Sequence, residues 1–121
     1  MKKTVVFGAT DNPSRFAYKA ANMLIDYQHE MVPVGIKKGK VAGQEILDLR
    51  QKPEIDNVDT ITLYVGPQNQ TEWYEYIIGL KPKRIIFNPG TENDTLIEMA
   101  ENAGISTVED CTLVMLRNGR Y

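Results

Sequence analysis

Five times along this chain, a short apolar run of β-branched character is closed by Gly, Pro, Asn or Asp. The runs are Thr4–Ala9, Met31–Val34, Thr60–Val65, Arg84–Phe87 and Ser106–Val108, all of strand length. Between them the apolar period becomes helical. Phe16–Tyr27 aligns Phe16, Ala20, Met23, Leu24 and Tyr27 on one face, and Thr71–Leu80 aligns Trp73, Tyr76, Ile77 and Leu80. Glu92–Ala103 aligns Leu96, Met99, Ala100 and Ala103, with Thr91 as the expected N-cap and Gly104 as the C-terminal stop. Strands alternating with helices imply a parallel sheet covered on both faces, because right-handed crossovers leave few other arrangements. The expected fold is therefore α/β: a single Rossmann-like three-layer domain with a parallel five-stranded sheet in the order 3-2-1-4-5. Only Lys37–Asn57 breaks the rhythm. There Val41–Ile46 reads as a short extended piece, and Gln51–Asn57, with Pro53, as irregular chain.

A chain of 121 residues suits one domain over 1–121 and is too short for a separate catalytic domain. Its formal net charge of -2 argues against an extended nucleic-acid surface, so any basic site is local, at Lys37, Lys38 and Lys40. The run after Met1-Lys2-Lys3 is too brief for a signal-peptide core or a membrane span. A cytoplasmic location follows, with neither nucleic acid nor membrane as partner, and no protein partner is specified. The single Cys111 permits no internal disulfide and no cysteine metal cage, so no metal is expected.

In an open α/β sheet, ligands sit beyond the carboxyl ends of the strands where strand order reverses. Five segments qualify: Gly8–Arg15, Gly35–Lys38, Tyr64–Gln68, Asn88–Thr91 and Glu109–Thr112. In the first, Gly8, Ala9, Thr10, Asp11, Asn12, Pro13 and Ser14 lead into a helix start, where unpaired backbone N–H groups face an anion. Arg15 adds a charge-assisted contact to phosphate. The dinucleotide pattern G-x-G-x-x-G is absent, since Thr10 and Pro13 stand where further glycines belong. An NAD site ends its second strand on an acidic ribose hook, whereas this chain has Gly35-Ile36-Lys37-Lys38. Two lysines there suit an extra phosphate on the ribose, as in coenzyme A or NADP. Tyr64, beside Val65, Gly66 and Pro67 at a strand end, is placed either to stack on adenine or to pack in the core.

The order Gly8-Ala9-Thr10-x-x-Pro13-x-Arg15, Val32-Pro33-Val34 with Lys37, Gly43-Gln44-Glu45, Val58-Asp59 and Asp110-Cys111 resembles the small CoA-binding-domain proteins. These are similar to the N-terminal CoA-binding domain of the succinyl-CoA synthetase α subunit standing alone. The resemblance covers nearly the whole chain. It implies that Thr10–Arg15 approach the CoA phosphates, that Lys37 or Lys38 meets the nucleotide phosphates, and that Tyr64–Pro67 flank the adenine. It further implies that Asn88, Pro89 and Gly90 line the path toward pantetheine. The family commonly reads Pro-Val-Asn-Pro-Lys where this chain has Pro33-Val34-Gly35-Ile36-Lys37, which leaves open which lysine points inward.

No catalytic residue emerges. The lone histidine, His29, precedes the second strand and so belongs at the amino edge, across the domain from the site. Cys111 follows the fifth strand, but no neighbouring cation in sequence stabilises a thiolate, and Glu109 and Asp110 oppose one. Trp73 and Tyr76 stand at core spacing. The expected function is binding of coenzyme A or an acyl-CoA through its nucleotide and pyrophosphate, without catalysis. The alternatives are an NADP-dependent oxidoreductase and a ligand-free regulatory or interaction domain.

Overall fold

A computed structural model describes residues 1–121. Its centre is β1 (Thr4–Phe7), four residues buried without exception, paired in parallel to β2 (Met31–Gly35) on one side and to β6 (Thr60–Leu63) on the other. Period-two alternation sends Val5 and Phe7 into one core and Val6 into the other. The first core lies under α2 (Tyr74–Gly79) and α3 (Asp94–Asn102), the second under α1 (Phe16–Asp26) and α4 (Thr112–Arg117). The result is the expected three-layer α/β arrangement with a parallel sheet.

The sheet has six strands, in the order β5-β2-β1-β6-β7-β8, with β7 at Arg84–Phe87 and β8 at Ser106–Glu109. The strand unforeseen by the sequence is β5 (Leu47–Asp48), which pairs in parallel with Val34 and Gly35 of β2. Counted with β5 as the third strand, the order begins 3-2-1-4-5. Among the five expected strands alone, however, Thr60–Leu63 lies beside β1 and not outside β2. Two residues with an exposed Leu47 carry no strand signal of their own; only the open edge of β2 makes them one. In place of a helix, the crossover from β2 to β5 holds an antiparallel hairpin, β3 (Lys40–Val41) with β4 (Gln44–Glu45), as the extended reading of this stretch anticipated. Val41 anchors it, buried in the α1-side core.

The helices differ from their sequence patterns in phase and limits. α1 buries Ala17, Ala20, Ala21 and Leu24, and leaves Phe16 and Tyr27 exposed. The small residues face the sheet because they let the helix sit close, while the two aromatics fall at its ends. Thr71–Trp73 form a 3₁₀ turn ahead of α2. The cap of α3 is Asn93, whose Oδ1 accepts from the amides of Thr95 (3.0 Å) and Leu96 (3.2 Å). Thr91, the expected cap, instead donates its hydroxyl to the Asn88 carbonyl at 2.8 Å. Gly104 ends α3 as anticipated. At φ +79° its amide reaches Glu101 O and that of Ile105 reaches Ala100 O, the paired bonds of a Schellman motif. α4 was not foreseen, since six residues are too few to display a period.

At the amino edge, His29 Nδ1 accepts the Lys2 backbone N–H at 2.9 Å, and its ring lies 4.8 Å from that of Tyr121. Burial, followed by nearby cations including Lys2 and Arg84, holds the imidazole below its ordinary 6.5, with Asp59 opposing. The unfolded chain therefore takes up this proton first. Stability is complete above about pH 6.5 and falls as pH drops toward the lowered folded value. Thermal unfolding from about pH 7.5 down to about pH 5 should show a steeper loss for the wild type than for His29→Asn, which keeps an acceptor without titrating. At the opposite edge, a Cβ on Gly35 would sit 2.5 Å from the Ala9 carbonyl oxygen. Gly35→Ala should therefore cost about 1–3 kcal/mol in urea denaturation, the usual range for overpacking.

Candidate functional site

The strand order reverses between β1 and β6, the place in an open α/β sheet where ligands sit. Gly8 takes φ +102°, and a Cβ on it would stand 2.9 Å from Val65 Cγ2 and 3.0 Å from the Tyr64 carbonyl oxygen. Only glycine allows both the turn and that approach. The Gly8 and Ala9 amides both donate to the Val34 carbonyl at 2.9 Å, so these two N–H groups serve the sheet rather than an anion. Beyond them the turn is self-contained. Asn12 Oδ1 accepts from Ser14 N (3.0 Å) and Ser14 Oγ (2.8 Å), Thr10 Oγ1 accepts from Asn12 N (3.2 Å), and Arg15 N donates to Asn12 O (3.1 Å). The start of α1, by contrast, has no such side-chain bond. Arg15 is its N-cap residue, no side chain caps it, and its first-turn amides carry the positive end of the helix dipole. Asp11, Asn12, Pro13, Ser14 and Arg15 are all exposed around that start.

The ends of β2 and β5 form a cleft of about 450 Å³, lined by Gly35–Lys40, Glu45, Ile46, Asp48 and Arg50. It brings together Gly35 and the basic cluster Lys37, Lys38 and Lys40, the last on the hairpin, and adds Arg50 from a 3₁₀ turn (Leu49–Gln51). Four cations thus face two carboxylates. Asp48 caps the 3₁₀ turn through Arg50 N (3.0 Å) and also accepts from Arg50 Nε (3.1 Å). These bonds, and weaker attraction to Arg50 and Lys38, hold its carboxyl below the usual range. The Asp11 carboxylate lies against Gly39, where a Cβ would meet its Oδ2 at 2.7 Å, so the β1 turn and the lysine loop are neighbours. Arg50 and Asp48 were missed because neither follows an expected strand. A pairing of β5 with β2 is what carries them into the cleft.

On the β6 side, Tyr64 packs against the α1-side core, and its hydroxyl is buried without a well-formed hydrogen bond. Burial pushes the phenol far above its ordinary value, against weaker polar influence from Thr62 and Thr112. Of the two placements considered for Tyr64, the structure has the packing one. Val65–Pro67 are held by Gln70, wholly buried, whose Nε2 donates to Val65 O and Thr91 O, both at 2.8 Å. Its Oε1 accepts from Asn93 Nδ2 at 2.9 Å. One amide therefore fixes the loops after β6 and β7 relative to each other. Asn88 does the same below them: Nδ2 donates to Thr62 Oγ1 (2.7 Å) and Leu63 O (2.8 Å), and Oδ1 accepts from Thr112 N (2.9 Å). Its side chain is a staple, while Pro89 and Gly90 remain exposed. Cys111 is the half-buried N-cap residue of α4, and Asp110 beside it pairs with Arg120 at 2.7 Å. His29 lies at the far edge, as anticipated.

The family model described as a CoA binding domain matches residues 2–117. The chain belongs to the CoA-binding-domain family. No match to a curated protein was found. Among solved structures, this CoA-binding domain is similar to an uncharacterised protein with 53% identity and a TM-score of 0.97, over 100% of this chain and 98% of that one. It shares its fold with a Thermus thermophilus protein (21% identity, TM-score 0.83, 99% of this chain and 90% of that one). The same fold forms part of a dinucleotide-forming acetyl-coenzyme A synthetase from Ca. Korarchaeum cryptofilum, solved with phosphate and ADP. There the identity is 17% and the TM-score 0.69, over 90% of this chain and 25% of that one. Within the CoA-binding domain, Asn88→Ala should cost about 1–3 kcal/mol in chemical denaturation, because the Thr112 N–H and Leu63 carbonyl are left buried without partners.

Proposed function

We propose that this CoA-binding domain holds coenzyme A or an acyl-CoA by its nucleotide and pyrophosphate, and that it has no catalysis of its own. The observation that carries the reading is the cleft beyond β2 and β5, where Lys37, Lys38, Lys40 and Arg50 outnumber Glu45 and Asp48. An acidic ribose hook would repel a ribose phosphate; this cleft attracts one. Its volume is within the roughly 300–1,000 Å³ of small-molecule sites.

The reading assigns residues to four parts of the ligand. Lys37 or Lys38 would meet the ribose phosphate in the cleft. The uncapped start of α1, with Thr10–Arg15 around it, suits the pyrophosphate, since free amides and the helix dipole both favour negative charge. Val65, Gly66 and Pro67 would flank the adenine with main chain and proline ring, and Pro89 and Gly90 would line the path toward pantetheine. Coenzyme A itself supplies a thiol that carries acyl groups as thioesters. The protein's part is to bind and orient, through a rim that Gln70 and Asn88 make rigid.

Calorimetry with coenzyme A and with 3'-dephospho-CoA tests this. Coenzyme A should bind more tightly, and replacing the lysine that meets the phosphate by Ala should cost about 1.5–3 kcal/mol, roughly tenfold to a hundredfold in affinity. Equal affinity for the two ligands would overturn the role given to the lysines. Thermal protection by NADPH and not by coenzyme A would point to a dinucleotide instead.

A further inference from the structure

Of the four cations in the cleft, Arg50 alone has an ion-pair partner, Asp48 at 3.1 Å; Lys37, Lys38 and Lys40 form none. The pair is open to water, with side chains 64% and 39% exposed for Arg50 and Asp48. Exposed pairs of this kind are held weakly. Only Nε of the guanidinium is engaged, while Nη1 and Nη2 donate no hydrogen bond within the protein. Two donors in a planar fork are therefore free at the mouth of the cleft, on a residue suited to phosphate oxygens.

We propose that Arg50 is the residue that selects for the ligand's ribose phosphomonoester, and that Asp48 tunes it in two opposed ways. Its Oδ1 orients the guanidinium, and its charge competes with the incoming phosphate. The inference rests on the CoA reading. Arg50 is suited to this task because the 3₁₀ turn that carries it is capped by the same Asp48, which limits the freedom of the backbone beneath it. The loop lysines, exposed and unpaired, add point charge to the same phosphate, whereas the planar fork of Arg50 also fixes its orientation. Asp48 lines the cleft together with these cations, so its carboxylate is an internal anion there before any ligand arrives. A phosphomonoester carries about -1.5 to -2 charges at neutral pH and must share those cations with it.

Two variants separate the opposed effects, measured calorimetrically against coenzyme A and 3'-dephospho-CoA. Arg50→Gln should weaken coenzyme A about tenfold or more and leave 3'-dephospho-CoA within about twofold. Asp48→Asn keeps an oxygen for both the Arg50 amide and Nε but removes the charge. It should tighten coenzyme A by about threefold to tenfold without changing 3'-dephospho-CoA. Asp48→Ser, which also retains a capping oxygen, provides a second neutral variant if Asn perturbs the turn. An equal loss for both ligands in Arg50→Gln, or no loss, overturns the selectivity role. Unchanged or weaker coenzyme A binding in both neutral Asp48 variants overturns the competing charge. Lack of coenzyme A binding by the wild type defeats the CoA reading and this inference together, whereas wild-type binding without these variant effects defeats the inference alone.

Discussion

The carboxyl edge depends on one close backbone meeting, where the Val34 carbonyl accepts from both Gly8 and Ala9 while the Ala9 carbonyl presses against Gly35. A side chain at either glycine would force the ends of β1, β2 and β6 apart. Because these three ends stay together, the turn after β1 is directed across β2 toward the lysine loop. Asp11 then reaches Gly39, and the β1 turn and the basic cleft become one surface. The candidate site is thus built on sheet geometry, with its charged side chains added on top.

Two buried amides extend that rigidity to the other half of the crevice. Gln70 and Asn88 satisfy backbone groups that no strand pairing reaches, and leaving such groups unpaired in an apolar setting is costly. Neither bond network shows in the sequence, where Asn88 stands only as a strand-end residue of the expected site and Gln70 carries no signal. Their value is in position alone. The charged residues follow the opposite rule. Lys37, Lys38 and Lys40 are exposed and without ion-pair partners, so they contribute field more than shape, and Asp48–Arg50 is the ion pair of the cleft.

Sequence patterning made the central strands legible because each is a short run dominated by β-branched and apolar residues, almost all of them buried. Gly8 and the lysines after β2 were legible for a related reason: they follow the carboxyl ends of parallel strands, where open α/β sheets generally place ligands. β5 and α4 were not, since two and six residues are too short to show a period. The phase of α1 was misread for a third reason. Phe16 and Tyr27 are more hydrophobic than Ala17 and Ala21, but a helix packed tightly on a sheet favours the small residues beneath it.

By itself, then, the sequence determined the α/β class, the central strands, the glycine turn and a basic loop in place of an acidic ribose hook. Each of these follows from local chemistry: side-chain period, backbone freedom or charge. Tertiary structure alone decided that Thr60–Leu63 flanks β1, that Tyr64 packs inward, that Asn88 is a staple, and that Asp48 and Arg50 complete the cleft. Those outcomes depend on which strand edge is open and which buried polar group lacks a partner, and both are settled only when segments distant in the chain come together.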